Sequence, residues 1–253
     1  MMVPVKPERP ARIGFVVLAL FIVLSPTILH AQSTDSTDTS DSPGVAQLQE
    51  FFSSNPRSGR YESVRGDLRG AFRRAEENSI PTEPLVTLLQ EAAAKRVPAA
   101  RLLPAVEAEL DRLETAGTVL DEVGLDGDGV GRQARISAFR RLSVYLQAGV
   151  TTDVMVQVGE TGTTLRPFLE AIGTLASISS TSDLSETQQV ELAGALLESE
   201  LEPGGYGAVG SAYVKGRLRG LSPETVTEIV VRVLRAGGGI IQIDRELNAR
   251  GRR

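Results

Sequence analysis

The sequence predicts an all-α protein in which helical hairpins are stacked as an irregular bundle or a short solenoid. Apolar residues recur three and four positions apart over most of the chain, as at Leu85, Leu88 and Leu89, which is the spacing of an amphipathic helix. Alternating apolar and polar runs joined by hairpin turns, typical of strands, are missing. Three similar turns at nearly constant spacing further predict an internal repeat of about 70 residues.

Residues 1–31 have the organisation of a bacterial export signal. Lys6, Arg9 and Arg12 form a positive start, and the apolar run 13–29 follows them. This run has 17 residues, the lower end of the length that spans a bilayer, so an uncleaved membrane anchor is the alternative. We expect export to the periplasm or the cell exterior, with no stable membrane insertion once the signal is cleaved.

Cleavage of the signal would remove the one histidine of the chain, His30. The sequence also has no cysteine and no tryptophan, so the mature protein would lack the side chains of His- or Cys-based nucleophilic and zinc sites. It would keep 24 basic and 31 acidic residues, a net charge of −7. An acidic chain argues against a nucleic-acid partner, because such binding depends on concentrated positive charge.

Residues 32–46 are rich in Ser, Thr and Asp and have almost no apolar content. Such a segment cannot bury enough surface to offset its conformational entropy, and we predict a disordered acidic spacer. Residues 47–253 then form the predicted α-helical repeat domain.

Start and stop signals divide this domain into short helices. Ser222-Pro223-Glu224 combines a capping residue, a first-turn proline and an acid suited to the positive end of the helix dipole. Gly149 and Gly220 are placed where helices are expected to end. Further predicted caps are Asp183, Ser185 and Thr163 or Thr164. Two prolines, Pro98 and Pro104, predict a less regular helix over residues 98–118.

The predicted repeat rests on the apolar residues of three turns, Ile80, Val150 and Leu221, which are 70 and 71 positions apart. The same offsets align three acids and three large apolar residues: Glu83, Asp153 and Glu224; Phe72, Leu142 and Tyr213. An apolar residue before a helix cap can pack onto the following helix, and the acid favours its N-terminus. Helix–turn–helix joints can converge on the same pattern without duplication, which is the alternative.

The segment 121–129, DEVGLDGDG, resembles part of an EF-hand calcium loop. A loop beginning at Gly124 or Asp126 has Arg135 or Ser137 at its twelfth position, so neither register supplies the bidentate acid. We therefore predict an interhelical loop and no metal site.

A locally basic segment opens the helical domain and contains Tyr61 and Phe72 among its cations, which are Arg57, Arg60, Arg65, Arg69, Arg73 and Arg74. Nearby acids dilute the charge and can pair with arginines at helical spacing. A solvated, partly salt-bridged helix face is the favoured interpretation, and contact with anionic lipid or another polyanion is the alternative.

Carboxylates are the main remaining candidates for catalysis: Glu50, Glu91, Glu107, Glu109, Glu160, Glu170, Glu191, Glu198 and Glu200. No recognisable motif surrounds any of them, and the scarcity of aromatic residues argues against carbohydrate binding. We assign no catalytic residue, cofactor or metal. The sequence favours an exported, non-enzymatic interaction or scaffold protein whose partner is another envelope protein. Alternatives are a carboxylate-dependent envelope hydrolase or, with the signal uncut, a membrane-anchored accessory subunit.

Overall fold

The computed structural model describes residues 42–125 and 130–251, and all regular structure in these ranges is helical, as predicted. The α-helices are α1 Pro43–Ser54, α2 Arg65–Glu77, α3 Glu83–Lys95, α4 Ala99–Glu122, α5 Arg132–Gln147, α6 Thr152–Gly159, α7 Leu165–Ser179, α8 Glu186–Glu198, α9 Tyr206–Leu218, α10 Pro223–Arg235 and α11 Ile240–Arg250. Two 3₁₀ helices, Ser58–Val64 and Pro203–Gly205, precede α2 and α9. The signal 1–31 and spacer residues 32–41 lie outside the described residues.

Side-chain caps begin two helices of the C-terminal half where the sequence predicts them. The Ser222 hydroxyl accepts a hydrogen bond from the Thr225 amide at 3.2 Å, and Pro223 follows it as the first residue of α10. At the start of α8, Ser185 and Gln188 form a capping box, with each side chain accepting from the other residue's amide. These caps fix the entry points of α8 and α10, the two helices of the groove described below.

The three aligned turns share one helix-ending geometry. Gly149 and Gly220 have φ angles of 93° and 83°, and Ser79 adopts the same left-handed region at 57°. The amide of the following residue then bonds five residues back; the Val150 amide, for example, donates to the Tyr145 carbonyl at 3.1 Å. The predicted helix ends at Gly149 and Gly220 are confirmed.

Two boundaries differ from those expected. The first helix begins at Pro43 rather than in the region of residue 47, because Val45 already contributes to the buried side of α1. The prediction of a less regular helix over residues 98–118 is wrong. Helix α4 is one continuous helix of 24 residues that includes Pro104. Pro104 is exposed, so water can hydrate the Ala100 carbonyl that a proline leaves without an amide donor.

The helices pack in two rows. The first row is continuous, with successive contacts from α2 to α4, α5, α7, α9 and α11. The second row contains two groups of helices: α1 packs against α3, and α8 packs against both α6 and α10. Both groups pack against the first row. Large side chains between the rows, including Phe72, Leu110, Phe168 and Tyr213, are fully buried.

A repeat of about 70 residues is not confirmed by this architecture. Three helices, α3 to α5, separate the turns at Ile80 and Val150, whereas four helices, α6 to α9, separate those at Val150 and Leu221. The same left-handed turn geometry also occurs at Arg96, away from the predicted spacing. Similar turns alone therefore do not establish a duplication.

A candidate interaction groove

An open groove of about 550 Å³ lies between α8 and α10 in the second row. Both helices begin at a well-defined cap, and both direct charged and polar side chains into it. Its lining consists of Gln188, Glu191, Glu224, Thr227, Glu228, Val231, Arg232, Arg235 and Ala236. The groove therefore offers both hydrogen-bond donors and acceptors over a partly apolar floor.

The floor of the groove is formed by the buried side of α10. Thr227 and Val231 are buried there, and the Thr227 hydroxyl lies 3.2 Å from the Tyr213 hydroxyl of α9. Tyr213 also donates to the Pro223 carbonyl at 3.0 Å. Burial raises the pKa of Tyr213, so this hydroxyl stays protonated as a structural donor.

Ion pairs hold the rim of the groove. Arg235 of α10 lies 3.5 Å from Glu191 and 3.6 Å from Glu198, both on α8. Arg232 forms a two-point interaction with Glu246 of α11, and the hydrogen bond from Arg232 lowers the pKa of Glu246. These pairs are solvent-accessible, so water and a partner can compete for them.

Glu224 occupies the first turn of α10 at one end of the groove. Hydrogen bonds from its own backbone amide and then from the Ser222 hydroxyl lower the pKa of this carboxyl. Glu224 is therefore held as a carboxylate. A general acid at neutral pH requires the opposite change, a raised pKa that keeps the carboxyl protonated.

None of the nine glutamates considered as catalytic candidates is buried. Several form ion pairs, including Glu107 with Arg74, Glu109 with Arg112 and Glu170 with Arg141. Only Glu191 lines the α8–α10 groove, beside Glu198 on the same helix. The structure thus distributes these carboxylates over the surface instead of gathering them in one cleft.

The basic N-terminal segment is partly salt-bridged, but its main partners are distant in sequence. Arg74 of α2 bonds Glu114 and Asp111 of α4, and Arg65 pairs locally with Glu62. The two interleaved aromatic residues, Tyr61 and Phe72, are fully buried and face no polyanion.

Residues 126–129 of the calcium-like loop lie outside the described residues. Within the ranges 42–125 and 130–251, no three His, Cys, Asp or Glu side chains are grouped closely enough to hold a metal ion. In the same ranges no helix combines the length and the apolar character needed to cross a membrane.

Searches of family models, curated proteins and solved structures find no match to this chain. Sequence reasoning did not identify the α8–α10 groove either. A usable signal was present: Glu224, Glu228 and Arg235 recur at helical spacing on one side of α10. The sequence does not reveal that α8, with Gln188 and Glu191, lies opposite this side.

Proposed function

We propose that the chain is an exported, non-enzymatic interaction or scaffold protein of the bacterial periplasm or envelope, and that the α8–α10 groove receives another envelope protein. The observation that carries this proposal is the open groove itself, with exchangeable ion pairs along its rim and a buried, hydrogen-bonded floor. Such a surface can exchange its internal pairs for those of a partner without a change of fold.

The carboxylate chemistry of the described residues favours binding over hydrolysis. No aspartate or glutamate in ranges 42–125 and 130–251 is buried, whereas a glycoside hydrolase needs an acid whose surroundings raise its pKa. Glu224 and Glu246 have lowered pKa values, because hydrogen-bond donors stabilise their charged forms. These observations disfavour a carboxylate-dependent envelope hydrolase, which is the second candidate.

A site-specific crosslinking experiment tests the groove. A photoreactive amino acid at Glu228 should give one reproducible adduct with an envelope protein in intact cells. The same amino acid at exposed Ser211 of α9, in the first row, should not. Arg235→Glu should abolish the adduct by breaking the rim pairs and reversing the charge, with thermal unfolding as the check on folding.

Two further outcomes distinguish the alternatives. Cleavage of purified cell wall by the protein, with no adduct from Glu228, would contradict the scaffold proposal and favour the hydrolase. N-terminal sequencing that finds Gln32 first would support cleavage of the signal. A mature chain that still begins before residue 13 would favour the anchored accessory subunit.

We also infer that α2–α4 and α9–α11 derive from one duplicated unit. An offset of 141 residues aligns two left-handed turns, Ser79 with Gly220 and Arg96 with Gly237. It also aligns buried pairs along the helices: Leu68 with Val209, Phe72 with Tyr213, Leu85 with Val226, Leu89 with Val230, Leu102 with Ile243 and Val106 with Leu247. Independent evolution of similar turn sequences would account for one matching turn but not for this series of matching core positions.

The relative directions of the helices test the duplication. Superposition of α9 and α10 on α2 and α3 should bring α11 onto the first half of α4, with the 141-residue offset preserved. Helix axes in unrelated directions would show that the matching turns arose by convergence.

A further inference from the structure

The two rows of helices carry opposite charge. Helices α5, α7, α9 and α11 of the first row contain nine basic and three acidic residues, whereas the five helices of the second row contain three basic and nine acidic residues. The remaining helices of the first row do not share this surplus, since α4 is acidic and α2 is nearly balanced. Positive charge is therefore concentrated on these four helices, whose exposed side we call the basic face, in a chain that is acidic overall.

Several cations of this face are free to meet a partner. Arg140 of α5, Arg166 of α7 and Arg245 of α11 are exposed, and none forms an ion pair or hydrogen bond with any described residue. Arg232 and Arg235, the arginines of the second-row helices, are by contrast engaged with glutamates. Arg140, Arg166 and Arg245 thus keep their charge available to an external anion, whereas other cations of the same helices pair with carboxylates.

Exposed apolar side chains accompany these cations. Three large apolar residues of the described ranges are exposed: Val144 at 57%, Leu218 at 82% and Ile241 at 78%. They belong to α5, α9 and α11, so all three lie on helices of the basic face. Val144 is one helical turn from Arg140, and Ile241 is one turn from Arg245.

We propose that this face, defined by Arg140, Val144, Arg166, Leu218, Ile241 and Arg245, binds the surface of an anionic lipid bilayer. Isolated apolar side chains beside cations suit a fluid interface that admits each of them separately and presents phosphates to the arginines. The residues come from four neighbouring helices, and with interaxial distances of 8–10 Å the face is about 30 Å wide. Such a width fits a lipid surface better than a single peptide.

The charge separation also orients the protein. A uniformly acidic protein is repelled by an anionic bilayer, but opposite charges on its two rows turn the basic face towards the lipid and the acidic face away. The α8–α10 groove lies in the second row and would stay open to a protein partner. The bilayer proposal therefore goes beyond the proposed groove function, and the two can fail separately.

Environment-sensitive fluorophores test this proposal on the full-length protein. Because the chain has no cysteine, single cysteine substitutions at Val144, Leu218 and, as the second-row control, exposed Thr187 of α8 each give one labelled position. Vesicles of phosphatidylglycerol and phosphatidylcholine should shift the emission of labels at positions 144 and 218 to the blue. The label at position 187 should not respond, and pure phosphatidylcholine vesicles should shift none of the three.

Charge variants provide the matched comparison. Each arginine near an anionic surface contributes about fivefold to partitioning, so Arg140→Glu with Arg166→Glu should weaken vesicle binding at least about 25-fold. Lys95→Glu reverses one exposed charge on α3 of the second row, the same change as Arg140→Glu alone, and should leave binding unchanged. Circular dichroism of each variant verifies that it is folded.

Three results would overturn the proposal. One is the absence of a blue shift at positions 144 and 218 with anionic vesicles. Another is a response that does not depend on the charged face, seen as an equal shift at position 187 or as a shift that persists in 1 M salt. Either response would indicate insertion through the apolar run 13–29. The third is a shift without vesicles that grows with protein concentration, which would show that a second copy covers the face.

Discussion

Arg74 shows how a single side chain joins two helices of the first row. Its guanidinium donates to Glu114 and Asp111 and lies 3.4 Å from Glu107, all on α4. Hydrogen bonds to Glu114 and Asp111 raise the pKa of Arg74, so the cation persists at any ordinary pH. Removal of this one charge would leave three carboxylates facing one another on α4.

We therefore expect Arg74→Ala to lower the free energy of unfolding by about 1 kcal/mol, towards the upper end for exposed ion pairs because several carboxylates share the cation. Urea denaturation at low and high salt measures this, with a smaller loss at high salt. Arg73→Ala, which removes an exposed arginine without a partner among the described residues, is the control. Equal losses in the two variants would contradict the network.

The pKa of Glu246 gives a pH dependence with a defined sign. Hydrogen bonds from Arg232 lower this pKa in the folded protein, so the pair stabilises the fold above the unfolded value of about 4.3 and loses this effect as the pH falls through the folded pKa. Glu246→Gln should be less stable than the parent at pH 7 and equal to it in strong acid. Chemical denaturation across pH checks this, with exposed Glu200→Gln as the control; a pH-independent difference would contradict it.

Among the single helices, two glycines differ in what surrounds them. A Cβ at Gly159, the last residue of α6, would collide with Val123 after α4, whereas a Cβ at Gly194 within α8 would meet nothing within 4 Å. Gly159→Ala should therefore destabilise the protein by about 1–3 kcal/mol through overpacking. Gly194→Ala should stabilise it by about 0.5–1 kcal/mol, because alanine loses less backbone entropy in a helix. Thermal unfolding distinguishes the two, and changes of the same sign would contradict this account.

Local signals predicted many elements because they act through short-range chemistry. Ser222 caps α10 with its own hydroxyl, and Gly149 and Gly220 end helices through a backbone conformation that glycine adopts without strain. The prediction of a less regular α4 from Pro104 is wrong, because a proline breaks a helix only where its surroundings cannot compensate for the missing amide. The sequence does not specify those surroundings.

At the scale of the whole molecule, the stacked arrangement predicts uneven local stability. Helix α7 packs against α5, α8 and α9 and has eight buried residues, while α11 packs against α9 and α10 and has two. Hydrogen exchange should therefore be fastest in α11 and slowest in α7, because opening α11 exposes less apolar surface. Uniform exchange across both helices would show that the stack unfolds as a single cooperative unit.

The amino-acid sequence predicts by itself the all-α class, the caps at Ser185 and Ser222, the helix ends at Gly149 and Gly220, and the absence of cysteine and of any histidine beyond His30. Periodicity and capping depend on neighbours within about five residues, so they can be read along the chain. The packing of the helices brings Glu191 of α8 to Arg235 of α10 and Arg74 to Glu114, and it separates charge between the two rows. Those features depend on which helix faces pack together, a property of the whole core and not of any local pattern.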